Sequence, residues 1–487
     1  MAKKTKIVAT LGLVSDSKEV LKSLIENGMN VARLNFSHGS HEWHGNVIDI
    51  IRQLSQEMQV PVGILADLQG PRIRTMVQAD IEMKTGDFVL ISDITKSPNF
   101  QFPSASWRTI SNDKISNDKI LLDVPEITSD IEVGNEILIE DGLMKIVVKE
   151  KNEGTLLCEV IDGGVVKNHK GVNIPDAKLQ ISPITEKDEK DLAFVLSKEV
   201  DFVAMSFVST GNDIENLRGK IKNILGREEN LPQIIAKIER KEAIKNLEDI
   251  IEHTDAVMVA RGDLGIEIEG TKVAVLQKEI IKKSLQAMKP VIVATQMLNS
   301  MIENPRPTRA EVSDVTNAVV DHADAVMLSG ESASGKYPLE SVRTMKEIIE
   351  NTEASPYDDV THLIRINGDG DFKRVIKSAY ELAKSSSAKA IVLGSASGFT
   401  ARLFSHFRPE QPMLVVTHNA KTYSQLSLVW GIQAKLYEKG EVFREDIDWL
   451  IEDAKSSGIL AKGDKVVLIL GRTPDGEHMQ LIGIKEI

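Results

Sequence analysis

A lysine and a glutamate two residues apart are the first side chains in this sequence that could do chemistry together. In Lys237-Ile238-Glu239 the ammonium and the carboxylate share one face if the segment is a strand. An ammonium can hold a phosphoryl oxygen and a carboxylate can ligate a divalent cation. The alternative is an ion pair that satisfies only itself.

A glycine-rich turn further along the chain carries a second carboxylate. In Arg261-Gly262-Asp263-Leu264-Gly265 the glycines allow backbone amides to approach an anion closely. Asp263 is a hard oxygen ligand that could share a Mg²⁺ ion with Glu239. A turn followed by a helix cap is the simpler interpretation of this segment.

Arginines follow two earlier apolar runs. Arg33, Asn35 and Ser37 alternate along one run, which suits a phosphate contact beside a cation site. The next run ends in Asp67, which could ligate a metal or orient an arginine, and it is followed by Arg72 and Arg74, whose guanidinium groups suit bidentate phosphate binding. Polar strand ends and a surface arginine pair are the alternatives.

The elements that must position these residues are eight apolar runs, each followed by an amphipathic segment. They are Lys6–Leu11, Asn30–Phe36, Val62–Leu68, Asp201–Phe207, Gln233–Glu239, Ala256–Ala260, Val291–Gln296 and Ala325–Ser329. Runs without alternation predict strands buried on both faces, and eight βα units predict a (β/α)8 TIM barrel. The chemistry of that fold lies at the carboxyl ends of its strands, where Thr295, at the end of the seventh run, joins the charged residues.

One βα unit is interrupted, and this predicts three domains. Strand-like runs separated by turn signals fill 71–170, which we interpret as a small β-barrel lid inserted into a barrel formed by 1–70 and 171–354. A Ser/Pro/Asp/Gly-rich linker at 355–370 opens a carboxyl-terminal open α/β domain, 355–487.

Charge and cysteine content exclude several classes of protein. The 487 residues carry a net charge of −13, which argues against a nucleic-acid binder. The single cysteine excludes an intrachain disulfide framework and a multi-cysteine zinc site. We expect no membrane span and a cytoplasmic location.

Mg²⁺-assisted chemistry on a small phosphorylated anion fits the residues at the rim.

The sequence resembles the pyruvate kinase family over essentially its whole length. The similar segments are Lys6–Gly12, Ala32–Gly39, Lys237–Glu239, Met258–Gly265, Ala294–Leu298 and Arg306–Pro338. The resemblance implies phosphoryl transfer from phosphoenolpyruvate to ADP, with Mg²⁺ or Mn²⁺, in a homotetramer. Another phosphoenolpyruvate or pyruvate barrel enzyme, such as a lyase or aldolase, and a catalytically silent regulator are the alternatives.

The resemblance also implies roles for individual residues. Arg33, Arg74 and Lys237 would stabilise the transferring phosphoryl group, and Glu239 and Asp263 would hold the metal. The amides of Gly262 and Asp263, with Thr295, would bind the substrate carboxylate, and Thr295 would lie on the proton route. The residues that would contact the nucleotide are Arg33, Asn35, His38, Arg74 and Lys170.

One departure from the family pattern concerns a monovalent cation. The residues that match the family's usual site are Asn35, Ser37, Asp67 and the carbonyl of Leu68. In the family, dependence on potassium goes together with a glutamate at the position that Arg72 occupies in this sequence. We therefore predict an enzyme that does not require K⁺. A second departure is Leu13-Val14, where a proline is usual, and we expect only a local loop change.

A loop in the third domain resembles the family's effector loop. Hydroxyls and amides that open a helix suit a phosphate, and an ordinary helix cap is the alternative. The candidate contacts for a phosphorylated effector are Ser395, Ser397, Gly398 and Thr400.

Overall fold

The computed structural model describes residues 3–95, 115–152, 154–358, 371–438, 445–470 and 481–487. The last part of the predicted linker, 359–370, lies outside the described residues.

The chain begins with the first three units of the large barrel. Their elements are β1 (Lys6–Thr10), α1 (Lys18–Glu26), β2 (Val31–Asn35), α2 (His41–Met58) and β3 (Gly63–Asp67). Both helices start where a serine hydroxyl accepts a backbone N–H of the first turn, Ser17 for α1 and Ser40 for α2. The strands are built of Val, Ile, Leu and Ala and are buried along most of their length.

The inserted segment forms a second, smaller barrel. Its strands are β4 (Ile73–Met76), β5 (Ile81–Met83), β6 (Phe88–Asp93), β7 (Ile115–Leu122), β8 (Glu136–Ile139), β9 (Met144–Asn152), β10 (Thr155–Asp162), β11 (Gly164–Val166) and β12 (Gly171–Asn173). Seven of them close in the order β10-β6-β7-β4-β12-β8-β9, and β5 pairs with β11. Ile174 and Ala177, beyond the predicted boundary at residue 170, also pack in the small-barrel core.

The chain then completes the large barrel. The elements are α3 (Glu186–Ser197), β13 (Phe202–Met205), α4 (Gly211–Leu225), β14 (Gln233–Ile238), α5 (Lys241–Lys245), α6 (Leu247–His253), β15 (Ala256–Ala260), α7 (Arg261–Glu267), α8 (Gly270–Gln286), β16 (Val291–Ala294), α9 (Arg309–Val320), β17 (Ala325–Leu328), α10 (Gly330–Ala333) and α11 (Pro338–Glu353). Eight parallel strands close in the order β1-β17-β16-β15-β14-β13-β3-β2. The predicted TIM barrel and all eight predicted strands are confirmed.

The carboxyl-terminal part is an open α/β sheet, as predicted. Its elements are α12 (Asp371–Ser385), β18 (Ala390–Gly394), α13 (Phe399–Ser405), β19 (Met413–Thr417), α14 (Ala420–Gln425), β20 (Ile432–Leu436), α15 (Glu445–Ser456), β21 (Lys465–Leu470) and β22 (Leu481–Glu486). The strand order is β20-β19-β18-β21-β22, and only the β21–β22 pair is antiparallel.

This third domain closes the amino-terminal end of the large barrel. Leu428, in the 3-10 turn Leu426–Leu428, packs with Val31 and Phe202 at the start of their strands. Arg408 donates to both carboxylate oxygens of Asp324 at 3.1 and 2.9 Å, and both side chains are buried. The open rim at the other end is therefore the face that is left for chemistry. Among the described residues, no helix is long and apolar enough to cross a membrane.

Candidate active site

The carboxyl ends of the barrel strands bring the predicted charged residues together. Arg33 lies on β2, Asp67 ends β3, Lys237 lies on β14, and Glu239 follows β14 directly. Because β2 pairs with β3, only β13 separates β3 from β14, and all strands are parallel, these side chains project from the same end of the barrel. Asp263, in the first turn of α7, is close enough for its charge to raise the pKa values of Lys237 and Glu239.

Lys237 is held by three oxygen atoms. Its Nζ donates to Ser206 Oγ at 2.7 Å and lies 3.2 Å from Glu239 Oε2 and 3.5 Å from Asp67 Oδ1. Burial alone lowers the pKa of this ammonium, but the carboxylates of Asp67, Glu239 and Asp263 outweigh it and raise the pKa above its ordinary value. Lys237 therefore keeps its positive charge at neutral pH.

Glu239 is a buried carboxylate with one oxygen still available. Its Oε1 accepts the amide N–H of Phe207 at 2.7 Å, while its Oε2 accepts no hydrogen bond from the described residues and has the Lys237 ammonium 3.2 Å away as its ion-pair partner. Burial is the largest cause that raises the pKa of Glu239 to about 7, the charge of Asp263 adds to it, and Lys237 opposes both. A second cation beside Oε2 would stabilise the ionised form.

Arg33 and Asp67 form a buried pair beside Lys237. Nε and Nη2 of Arg33 contact Asp67 Oδ2 at 2.7 and 2.6 Å, and Nη1 donates to Thr10 Oγ1 at 2.8 Å. Burial alone raises the pKa of Asp67, but the positive charges of Lys237 and Arg33 outweigh it, so that the net shift is downward. This carboxylate stays ionised and orients two cations.

The Thr295 segment is held in an unusual backbone conformation. Thr295 and Gln296 both have positive φ, 68° and 56°, although a β-branched residue disfavours this region. Arg261 stabilises the segment because Nη2 donates to the Thr295 carbonyl at 2.6 Å and Nη1 pairs with Asp314 at 2.7 Å. Thr295 Oγ1 accepts the amide N–H of Gly262 at 2.8 Å, so the turn and the threonine are in contact.

Other predicted site residues lie at the edge of this cluster or outside it. Ser37 N–H donates to Asn35 Oδ1 at 3.1 Å, and His38 is exposed. Arg74 lies on β4 of the small barrel opposite Gly171, so it neighbours Lys170, whose ammonium pairs with Glu140.

Two of the residues predicted to form or replace a monovalent-cation site, Asn35 and Asp67, are in register on the adjacent strands β2 and β3. The Leu68 carbonyl accepts Ser206 Oγ–H at 2.9 Å. Asp67 is shared by Arg33 and Lys237. Arg72 is exposed, and it forms no ion pair or hydrogen bond with the part of the chain that the structure describes.

The predicted effector loop is a tight turn in the third domain. Gly398 has φ 74° and precedes α13, and a Cβ atom there would lie 2.9 Å from Arg402 Nη1. Arg402 Nη1 donates to the Ser397 carbonyl at 3.3 Å, and Ser395 is buried. Thr400 lies in the first turn of α13.

Sequence reasoning missed several residues that position the cluster. Ser206 accepts a hydrogen bond from Lys237, and Thr10 accepts one from Arg33. The sequence signal for both residues is weak, because it is only a hydroxyl side chain at the end of an apolar run. Arg261 lies next to the predicted Gly-Asp turn, but its partners Thr295 and Asp314 are 34 and 53 residues away.

The carboxylates at the rim supply only some of the ligands that a divalent cation needs. Among the described residues, no group of three or more His, Cys, Asp or Glu side chains is arranged to hold a metal ion. Glu239 Oε2 is nevertheless a buried oxygen without a hydrogen-bond partner, near a second carboxylate. Two hard oxygen ligands from the protein, completed by substrate or water oxygens, are the usual donor set for Mg²⁺.

The family models, the relatives and the solved structure that match this chain all belong to one family. The family model described as "Pyruvate kinase, barrel domain" matches residues 2–342, and "Pyruvate kinase, alpha/beta domain" matches residues 373–481. The chain is 41% identical to the pyruvate kinase of Clostridium perfringens, covering 96% of each. It is also 41% identical to that of Geobacillus stearothermophilus, covering 98% of this chain and 79% of the relative. A crystal structure of a pyruvate kinase from Cryptosporidium parvum superposes with a TM-score of 0.90 at 33% identity, covering 99% of this chain and 96% of that one.

Proposed function

This chain belongs to the pyruvate kinase family and is a phosphotransferase, and we propose that it transfers the phosphoryl group of phosphoenolpyruvate to ADP to give pyruvate and ATP. The observation that carries this proposal is the buried ammonium of Lys237, held between Asp67, Glu239 and Ser206 at the barrel rim. A charged group fixed in this way is what phosphoryl transfer requires of a protein, because catalysis there is positioning and charge neutralisation.

Lys237, Arg33 and Arg74 stabilise the charge of the transferring phosphoryl group in this proposal. Lys237 and Arg33 are oriented before substrate arrives, since both contact the carboxylate of Asp67. Cations that need no reorganisation during the reaction contribute most to transition-state stabilisation. Arg74 comes from the small barrel, so it would join when that domain closes over the substrate.

Glu239 and Asp263 would hold Mg²⁺, or Mn²⁺, next to this cluster. The buried Oε2 of Glu239 supports this role because it accepts no hydrogen bond from the described residues, so a metal ion would join the Lys237 ammonium, 3.2 Å away, in stabilising its charge. When bound, the ion neutralises phosphate charge and orients the phosphoryl oxygens.

Gly262, Asp263 and Thr295 bind the substrate carboxylate in our proposal. The Gly262 amide already donates to Thr295 Oγ1, so the carboxylate would take over this donor, while the hydroxyl itself donates to the Ala294 carbonyl at 2.6 Å. The P–O bond to the enolate oxygen breaks as a β-phosphate oxygen of ADP forms its bond to phosphorus. The enolate then takes a proton at carbon by a route on which Thr295 Oγ lies.

The nucleotide would lie between the rim and the small barrel. Asn35 ends β2 of the large barrel and His38 follows that strand, while Arg74 and Lys170 belong to the small barrel. Lys170 would have to leave Glu140 to reach the nucleotide phosphates.

We also propose that K⁺ is not required. Asp67, Asn35 and the Leu68 carbonyl already accept bonds from protein donors, and Arg72, which is nearby in sequence, is exposed and pairs with none of the described residues. Arg72 would then supply the positive charge that a monovalent ion provides in other members of the family.

The remaining proposals concern assembly and regulation. We propose a cytoplasmic homotetramer, and a phosphorylated effector at the loop with Ser395, Ser397, Gly398 and Thr400. The turn at Gly398 supports the effector site because it opens α13, and backbone amides at the start of a helix suit a phosphate.

The decisive test is pyruvate formation from phosphoenolpyruvate with Mg²⁺, with and without ADP. We expect formation that depends on ADP and yields ATP. In Lys237→Met the rate should fall by about 100-fold or more, since a single transition-state charge contact contributes roughly 3 kcal/mol. Lys241→Met removes an exposed lysine paired with Asp176 and is the matched control, with an expected change of less than about twofold.

Each outcome identifies one of the alternatives. Pyruvate without ATP would indicate a lyase-type enzyme, and no turnover in the parent would indicate a silent binder. An unchanged rate in Lys237→Met with an active parent would remove Lys237 from the mechanism and leave the reaction standing.

A further inference from the structure

The hinge between the two barrels encloses a cavity of about 180 Å³. Both connections that join the small barrel to the large one contribute to its wall. Pro71 lies on the outgoing connection and Ile181 on the return, while Ile73 begins β4 and Val172 lies on β12, the strands next to them. Among the residues that the structure describes, none that we assign to catalysis lines it.

The polar side of this cavity is rich in carboxylates. Glu267, Glu242 and Asp213 line it together with a single cation, Arg240. The Asp213 carboxylate is occupied because it accepts the backbone N–H groups of Ser209 and Thr210, both at 2.9 Å. The formal charge of the wall is therefore negative, and it favours a cationic ligand.

Glu267 has a buried oxygen without a hydrogen-bond partner among the described residues, although the charge of Arg240 and the backbone N–H of Lys241 stabilise the carboxylate. Glu267 is 6% exposed. Its Oε1 accepts Asn173 Nδ2–H at 3.3 Å, whereas its buried Oε2 has no hydrogen-bond partner among the described residues. A buried carboxylate oxygen without a partner is costly, so a donor placed in the cavity would relieve a cost that the free protein carries.

The opposite side of the cavity is apolar. It is formed by proline, isoleucine, valine and leucine side chains of the two connections, together with Phe207. A cavity of about 150 Å³ holds one benzene molecule, so this one has room for a ring with a short substituent. An inorganic cation would leave that apolar surface without contacts.

We propose that this hinge cavity binds a small organic ammonium ion, with the ammonium on Glu267 Oε2 and the hydrocarbon body against Ile73, Val172 and Ile181. The site is separate from the proposed reaction, and binding can be measured without turnover. Because Glu267 ends α7 and Asn173 ends β12, a ligand here contacts both barrels at once.

The probe is benzylammonium, titrated calorimetrically into the full chain at constant ionic strength. We expect saturable binding at one site per chain, at least about tenfold tighter than that of the uncharged benzyl alcohol (about 1.4 kcal/mol). Equal affinity for the two molecules, or no saturable binding of benzylammonium, would overturn the proposal.

Two variants locate the site. Glu267→Gln keeps the shape and the bond from Asn173 but removes the charge, and should weaken benzylammonium binding at least about tenfold. Glu269→Gln removes the same charge from an exposed residue two positions further on and should leave affinity within about twofold. A Glu267→Gln variant that binds as tightly as the parent would overturn the site.

A third variant keeps the test decisive if Glu267→Gln folds poorly. Ile181→Phe puts a larger side chain into the apolar side of the cavity and should abolish binding of benzylammonium. Its Tm, compared with that of the parent, checks that the barrels are intact. Undiminished binding by a folded Ile181→Phe would place the ligand elsewhere and refute the inference.

Discussion

At the scale of single residues, the rim is a balance between buried charges of opposite sign. Lys237 and Arg33 each contact Asp67, and Lys237 also contacts Glu239. Burial acts to raise the pKa of both carboxyls; two cationic neighbours outweigh it and lower the pKa of Asp67, whereas Glu239 has one cation and a nearby carboxylate, so that burial raises its pKa to about 7. Two carboxylates of the same cluster are thus prepared for different tasks, one as a permanent anchor and one as a ligand.

A prediction at this scale concerns Arg72. Replacing K⁺ by Na⁺ or by a bulky organic cation at equal ionic strength should leave kcat/KM within about tenfold, that is within about 1.4 kcal/mol. Initial-rate measurements of ADP-dependent pyruvate formation give the answer. Arg72→Glu should restore a dependence on K⁺, and a parent enzyme that already loses more than about tenfold without K⁺ contradicts the prediction.

At the scale of elements, the backbone conformation of the segment after β16 depends on α7, the helix that follows β15. Arg261, the first residue of α7, donates to the carbonyls of Ala294 and Thr295 and pairs with Asp314 on α9. One guanidinium thus joins three elements and keeps Thr295 at positive φ. The position of the threonine hydroxyl is therefore a property of this junction and not of its own strand.

We predict that Arg261→Lys lowers kcat about tenfold or more. Lysine keeps the charge but cannot form the forked set of bonds, so that Thr295 is no longer held in its strained conformation. KM for ADP should change less than about threefold, because Thr295 is assigned to the acid substrate and the proton route.

Arg218→Lys is the matched control for this experiment. Arg218 bonds Asp255 and the carbonyl of His253 at the amino-terminal end of β15, away from the rim. A similar loss of kcat in both variants would mean that Arg261 acts on stability alone.

At the scale of the whole molecule, the third domain is joined to the barrel through buried charges. Arg408 pairs with Asp324, donates to the His322 carbonyl at 2.8 Å, and lies over the ring of Trp430. Lys6, on β1, donates from its Nζ to the carbonyl of Ile432 at 2.7 Å. The two domains therefore have a specific relative orientation, because a buried charge separated from its partner would be strongly destabilising.

We predict that Arg408→Met destabilises the protein by about 3–5 kcal/mol, because it leaves the carboxylate of Asp324 buried without its cation. Denaturant unfolding and Tm measure the effect. Arg343→Met removes an exposed arginine, 4.0 Å from Glu347, and should change stability by less than about 0.5 kcal/mol. A loss below about 1 kcal/mol in Arg408→Met would show that the interface tolerates the unpaired charge.

A second prediction at this scale concerns alkaline pH. Burial lowers the pKa of Lys6 to about 8, against an ordinary value of 10.5. Between these two values the unfolded chain binds more protons at this site than the folded chain, so Lys6 makes stability rise with pH in that window. We expect the Tm of the parent relative to Lys6→Met to increase from pH 8 to pH 10.5, and a constant difference would contradict the assignment.

The strand-end positions and the order of domains could be predicted because they depend on local patterns. The pattern of Gln233–Glu239 predicts a strand and β14 covers Gln233–Ile238, since a run rich in isoleucine and alanine is typical of a strand buried on both faces. The exact extent of the small barrel could not be predicted in this way. Ile174 and Ala177 join its core beyond residue 170, and no change of composition marks that place.

The sequence by itself determined which chemical groups reach the rim, because the period of two and the parallel closure of the strands place Arg33, Asp67, Lys237 and Glu239 at one end. Only the tertiary structure decided which groups contact one another. Ser206 and Lys237 are 31 residues apart, and Lys170 bonds Glu140 across 30 residues. Such pairs depend on how strands close around the barrel and on which rotamer a long side chain adopts, and neither is encoded in the local pattern of apolar and polar residues.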